Sequence, residues 1–225
     1  MIVFTFYADC NLPEKTKAKQ AGFDWQWAMD TLEKSAAKSL KADTLRVTDC
    51  VTVMGNAFLR VGCAVQSGIM LWLLNAQASA ISFCHSEALL VSPDTIINGP
   101  VDVMFGDWDV CILTRERPKP IVNSVIAVRC SPKVGLMWSR IADRARMLSE
   151  QSRIWGADID ALVDAFCIRP FEDGIREFDD VRVRFLPVNG IFKTIPKGPV
   201  ARISEPIWDF KGYRKQRMPE YARFL

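Results

Sequence analysis

The sequence predicts an α/β domain in which short β-rich runs alternate with longer amphipathic stretches. Runs rich in β-branched and aromatic residues stand at Ile2–Tyr7, Thr44–Thr48, Asp109–Thr114 and Ile121–Arg129. Between them lie segments with helical spacing of apolar residues. The chain of 225 residues is 49% apolar and 24% charged, which suits one large core and excludes disorder of the whole chain.

Taken in order, Ile2–Tyr7 reads as the first strand and Ala8–Pro13 as a polar loop. In an α/β nucleotide binder this loop contacts the base or ribose, so Asp9 and Asn11 are either binding residues or turn residues. Phe23–Leu40 reads as a helix with Trp27, Leu32, Ala36 and Leu40 on its apolar stripe. Thr44–Thr48 is a second strand ending at Asp49, and Phe58–Ala76 a second helix.

The stretch Ile81–Asp94 organises the rest. Ile81–Cys84 reads as the end of a buried strand, followed by His85, Ser86 and Glu87, with apolar residues resuming from Ala88 to Val91. Periodicity alone leaves such a run ambiguous, but its length and the following Ser92-Pro93 favour strand. His85 and Glu87 are then candidate metal ligands where a central strand runs out, the place where open α/β sheets bind ligands.

Beyond it, Asn98-Gly99-Pro100 marks a turn, Val101–Phe105 a short helical turn and Arg115–Pro120 an exposed loop. Asn123-Ser124 interrupts the apolar run Ile121–Arg129, which signals a bulge or a site. Ser131-Pro132 opens a helix with a capping Ser and a Pro at the first helical position. Another helix starts near Ile159, Arg182–Leu186 alternates like a strand, and Pro187–Ser204 is loop-rich. No internal repeat is found.

The net charge of +3 implies no polyanion partner by itself, but it is unevenly spread. From Lys193 to Leu225 eight basic residues face three acidic ones, so this segment carries +5 and the rest about −2. Seven cysteines without a C-x-x-C pair read as reduced and intracellular. Met1–Tyr7 lacks the basic flank of a signal peptide, and no run approaches the ~20 apolar residues of a membrane span. A cytoplasmic protein is expected.

The order of motifs resembles the GT-A fold glycosyltransferases, in particular the group near glycosyltransferase family eight. The residues that carry the resemblance are Trp108-Asp-Val-Cys-Ile-Leu-Thr-Arg115, Val122-Asn-Ser-Val-Ile-Ala-Val-Arg129, Trp155-Gly-Ala-Asp-Ile-Asp-Ala-Leu162 and Ile207-Trp-Asp-Phe-Lys-Gly-Tyr-Arg-Lys215. The resemblance spans about residues 81 to 215, plus a first strand. It implies a GT-A (Rossmann-like) nucleotide-sugar-binding fold with a mixed central sheet flanked by helices. The chain is then a single domain, 1–225, whose basic segment 193–225 closes the donor site.

The family's Asp-x-Asp is missing. It falls either on His85-Ser86-Glu87 or on Ser92-Pro93-Asp94, and the family's tail histidine falls on Asp209. The first placement keeps two carboxylates and one imidazole and is preferred, making His85, Glu87 and Asp209 the expected ligands of Mn²⁺ or Mg²⁺. For His85 the plain alternative is a buried histidine with a hydrogen-bond partner. By the same resemblance Lys211, Gly212 and Lys215 meet the diphosphate, Asp9 the nucleoside, and Asn123 and Asp158 the sugar and acceptor. Val125 stands where the family has Gly, and Ile159 where it has Gln.

The resemblance implies a metal-assisted transfer from a UDP-sugar with retention of configuration. The acceptor is open among a glycan, a protein, a small molecule and a hydroxymethylated base in DNA. The competing readings are a non-catalytic nucleotide-sugar or glycan-binding module with a degenerate metal site, and a nucleic-acid-binding protein without transferase activity. The last lacks a helix-turn-helix, zinc or aromatic-ribbon signature.

Overall fold

The computed structural model describes residues 1–6, 22–40, 46–49, 65–150 and 156–225. The chain runs β1 (Ile2–Thr5), α1 (Trp25–Ser39), β2 (Arg46–Asp49), α2 (Val65–Phe83), β3 (Glu87–Val91) and β4 (Thr95–Ile97). It continues through β5 (Val110–Thr114), β6 (Ile121–Arg129), α3 (Pro132–Glu150), α4 (Ala157–Phe166), β7 (Gly174–Phe178) and β8 (Val181–Pro187). Last come β9 (Phe192–Thr194), β10 (Ile207–Asp209) and α5 (Met218–Ala222), with 3₁₀ turns at Asp102–Met104 and Gly212–Arg217.

Seven strands form one sheet in the order β2-β1-β3-β6-β5-β8-β7. β6 runs antiparallel to both of its neighbours, β7 antiparallel to β8, and the other pairs are parallel. A second sheet of three strands, β4-β10-β9, is built largely by the tail.

Side chains alternate between two cores, as strand geometry requires. Ala88, Leu90, Ile112, Ile126 and Val128 join Trp72, Trp138, Ile141 and Phe166 of α2, α3 and α4 on one face. Leu89, Val91, Cys111, Leu113 and Ala127 join Leu32 and Ala36 of α1 on the other. The result is a three-layer sandwich around a mixed sheet, the architecture expected from the sequence.

Several assignments change, and the strands of the second sheet, β4, β9 and β10, were not foreseen. Ile81–Cys84 is not a strand: Ile81 to Phe83 end α2, and Cys84 N–H donates to the Ala80 carbonyl at 3.1 Å in helical register. Burial follows a helix too, with Leu71, Leu74, Ala78 and Ile81 buried and Phe83 exposed. A short apolar run cannot be told from a helix end by periodicity, and here the helix continues through it. The strand β7 was also not foreseen. It forms a hairpin with β8 through Asp179-Asp180, both with positive φ, the turn that suits a two-residue hairpin loop. The expected start of the second helix at Phe58 lies outside the described residues. Among the described residues no helix is long and apolar enough to cross a membrane.

α2 and α3 approach closely at Gly135. A Cβ there would lie 2.9 Å from the Ser82 Cβ and 3.1 Å from its Cα. Gly135→Val should therefore destabilise the fold by about 2 kcal/mol, lowering the thermal midpoint by several degrees. An unchanged midpoint would contradict this close crossing.

Candidate functional site

The chain leaves β3 at Val91, passes Ser92 and Pro93, and presents Asp94 beyond the carboxyl end of the strand. Two hydrogen bonds fix this corner. Ser92 N–H donates to the Ser124 carbonyl at 2.8 Å, and Phe210 N–H donates to the Asp94 carbonyl at 3.0 Å. The second bond brings the tail onto the site. β10 lies antiparallel to β4 with Asp209 opposite Thr95, next to Asp94.

Asp209 is fully buried, and among the described residues neither of its carboxylate oxygens has a hydrogen-bond partner. Burial, with the nearby Asp94 charge adding to it, pushes its carboxyl up to about 7, against the pull of the Lys211 and Arg115 charges. Asp94 is also buried, and its Oδ2 meets Lys215 Nζ at 3.0 Å. That ammonium sits 4.0 Å above the centre of the Trp25 ring. The Thr5, Thr95 and Ser124 hydroxyls are buried without partners as well. Thr5 and Thr95 stand in register with Val91 and Asp209.

Asn123-Ser124 lies in a bulge, and Asn123 belongs to a polar cluster at the end of the sheet. Ile112 pairs with Ile126 but Leu113 pairs with Val122, so residues 123 to 125 bulge away from β5 while Val125 stays paired with Val91. Asn123 Nδ2 donates to Asp158 Oδ2 at 2.7 Å, and Lys211 Nζ donates to Asn123 Oδ1 at 3.1 Å. The amide thus bridges an acid and a base, and those partners set its orientation. Asp158 lies in the first turn of α4, buried, with Oδ1 unpartnered. Burial raises its pKa against the Ile159 N–H, Asn123 and Lys211.

Asp94, Asn123, Asp158, Asp209, Lys211 and Lys215 are therefore gathered at one end of the sheet. His85 and Glu87 are not with them. Both are exposed; His85 precedes β3 and Glu87 is its first residue, opposite Arg129. They line a separate cleft of about 430 Å³ with Asp109, Arg129 and Lys133. Five strand residues separate the two ends, about 16 Å. Metal–oxygen bonds span only about 2 Å, so His85 and Glu87 cannot share an ion with Asp209. The preferred ligand set is thus corrected, and the buried reading of His85 fails with it. Among the described residues no group of three or more His, Cys, Asp and Glu side chains is placed to hold a metal ion.

The alternative placement, Ser92-Pro93-Asp94, puts one carboxylate at the correct end beside Asp209. Two carboxylates, one with both oxygens buried and unpartnered, suit a hard divalent cation that draws its other ligands from phosphate and water. Sequence reasoning marked Ser124 only with Asn123 as a bulge or a site, placed Arg115 in an exposed loop, and favoured a packing role for Trp25 over a ligand platform. The signal for Asp94 was present: Ala88–Val91 is an unbroken apolar run ending in Ser-Pro-Asp. Asp9 and Asn11 lie outside the described residues.

No protein-family model matches the sequence, and no curated protein does. Solved structures do match. A glycosyltransferase involved in glycosylation of the major capsid of PBCV-1 aligns with TM-score 0.56 at 9% identity, over 100% of this chain and 99% of that one. The galactosyltransferase LgtC, in complex with donor and acceptor sugar analogs, aligns with TM-score 0.55 at 10% identity, over 100% and 96%. The bifunctional WbbM aligns with TM-score 0.55 at 9% identity over 93% of this chain, which spans only 45% of WbbM. The fold is that of the GT-A glycosyltransferases.

The raised Asp209 carboxyl makes a pH prediction. Its folded pKa of about 7 lies above the ordinary carboxylate value of 3.8, so the folded state holds a proton that the unfolded state releases. That contribution is complete below pH ~4 and is lost as pH rises through ~7. In metal-free buffer the thermal midpoint should fall from pH 5 to pH 8, and Asp209→Asn should flatten the fall and exceed the native midpoint at pH 8. Equal slopes for the two proteins would refute the assignment.

Proposed function

We propose that this chain is a glycosyltransferase that moves a sugar from a nucleotide-diphosphate donor, a UDP-sugar, to an acceptor, assisted by Mn²⁺ or Mg²⁺. The observation that carries the reading is the pair of buried carboxylates, Asp94 and Asp209, set beside Lys211 and Lys215 at the carboxyl end of the central sheet. Ligands of open α/β sheets bind at that end.

Asp94 and Asp209 would hold the cation. A divalent ion bound there supplies Lewis-acid neutralisation of the charge that builds on the departing diphosphate. The other roles fall to the chain's own groups. Lys215, resting on the Trp25 ring, and Lys211 present ammonium groups to the phosphates. Gly212 has φ of +62°, and a Cβ there would meet nothing within 4 Å, so a phosphate can approach this backbone closely. Asp158, held by Asn123, offers its unpartnered Oδ1 to a sugar hydroxyl. Retention of configuration belongs to the same proposal and rests on the family resemblance.

The charges of the tail support a donor site over a nucleic-acid surface. Lys211 and Lys215 turn inward to Asn123 and Asp94, while Lys193 pairs with Glu205 and Arg217 with Glu220. Four of the segment's eight basic residues are matched in this way. The acceptors this reading admits remain a glycan, a protein, a small molecule or a hydroxymethylated DNA base.

A second reading, a non-catalytic nucleotide-sugar or glycan-binding module, draws support from the two-carboxylate site, where the family pattern has a fuller ligand set. Metal-dependent hydrolysis of a UDP-sugar separates the two readings. It is expected for the enzyme and absent for the module.

Thermal unfolding tests donor binding. UDP with Mn²⁺ at about a hundred times the dissociation constant should stabilise the protein by roughly 2.7 kcal/mol, raising the midpoint by roughly 5–10 °C. Asp94→Ala should abolish the Mn²⁺-dependent part of that shift. A full shift in the variant would remove Asp94 from the site.

A further inference from the structure

Arg115 is a half-buried cation that the donor reading leaves without a task. It follows Thr114, the last residue of β5, and so stands at the same end of the sheet as Asp94. Its backbone N–H donates to the Pro120 carbonyl at 3.0 Å, closing the loop, and its Nε donates to the Lys119 carbonyl at 3.3 Å. Lys119 in turn is ion-paired with Asp160 in the first turn of α4. The stem of Arg115 is thereby clamped to the helix that carries Asp158.

The two terminal nitrogens of its guanidinium have no hydrogen-bond or ion-pair partner among the described residues. Most other arginines on the packed faces of the molecule are matched, for example Arg176 with Glu172, Arg182 with Asp107 and Arg184 with Asp173. Burial pulls the pKa of Arg115 down, and the Asp209 charge works against that pull. A half-buried guanidinium whose terminal nitrogens lack a partner among the described residues favours an anion from outside.

Its position limits which anion. β5 lies two strands from β3 in the sheet order, with β6 and its bulge between them. Two strand spacings are about 10 Å, so Arg115 stands away from Asp94 and Lys215 but only one spacing, about a sugar ring, from Asn123, where Lys211 rests. Asn123 and Asp158 stand along that path.

We propose that Arg115 is a specificity-determining residue that reads a carboxylate or phosphate on the sugar being transferred or on the acceptor, one ring away from the diphosphate. A planar fork whose Nη1–Nη2 edge has no partner among the described residues suits either group. The proposal rests on the donor reading given above and adds an anionic substrate class to it.

Calorimetric titration in the presence of Mn²⁺ tests it with named probes. UDP, UDP-glucose and UDP-glucuronate probe the donor side. Glucose and glucose 6-phosphate, added to the UDP-bound protein, probe the acceptor side. The native chain should bind the anionic member of one pair roughly ten- to a hundredfold tighter than its neutral partner, the size of a charge-assisted hydrogen bond. Arg115→Gln should erase that preference and leave UDP affinity unchanged, and Arg115→Lys, which keeps the charge and loses the fork, should retain part of it. Preference for UDP-glucuronate places the anion on the donor sugar, and preference for glucose 6-phosphate places it on the acceptor. No preference in either pair, with UDP bound normally, would overturn the proposal alone. An equal loss of UDP affinity in Arg115→Gln would do so too, by making Arg115 a diphosphate contact. Failure of the native chain to bind UDP would overturn the donor reading and this proposal together.

Discussion

Side-chain alternation along β10 holds the site together, because it decides where Asp209 points. Trp208 and Phe210 are fully buried in a small core with Ala28, Ile96, Met218 and Tyr221. Ile207 packs into the core on the α1 face of the sheet, on the opposite side of β10, and Asp209 must share that side. A carboxyl raised from 3.8 to about 7 costs at most about 4 kcal/mol when ionised. Burying two aromatic side chains contributes about 2–3 kcal/mol each. The anchors therefore outweigh the strain they impose, and the acid stays buried beside Asp94 whether or not it is charged.

That constraint ties the tail to the rest of the molecule. The Phe210 N–H on the Asp94 carbonyl, the ladder between β10 and β4, and Lys215 wedged between Asp94 and Trp25 all hold the tail over the carboxyl ends of β1 and β3. The bulge in β6 does the complementary work from the sheet side, turning Asn123 toward Asp158 and Lys211. Each buried acid at this end then has a cation or an amide near it, and the atoms without a partner among the described residues are the oxygens of Asp209, Oδ1 of Asp158 and the Thr5, Thr95 and Ser124 hydroxyls. A site of this kind awaits donors or a cation.

Much of this was legible in the sequence. The strands β1, β5 and β6, the helices α1 and α3, and the tail motif all stand close to where their residue patterns put them, because alternation, capping and punctuation are local signals. Asn123, Asp158 and Lys211 come together, although nothing local links residues 123, 158 and 211. Only the order of motifs did. The failure at His85 and Glu87 has a physical cause. Ile81–Cys84 is apolar enough for a strand and is the last turn of a helix. Reading it as strand moved the strand's carboxyl end onto Ser86, one full strand length too early. The hairpin of β7 with β8 was missed because its alternating charged residues bury little on either side. The bland apolar run Ala88–Val91 carried the better signal for the site.

The central claim is that ligand chemistry takes place at Asp94 and Asp209 and not at His85 and Glu87. Loss of the free Mn²⁺ paramagnetic resonance signal on binding, measured with UDP present, tests it directly. The account predicts that Asp94→Asn loses the bound ion, while the double variant His85→Ala, Glu87→Ala binds it as the native chain does. Mn²⁺ retained by Asp94→Asn and lost from the double variant would contradict it.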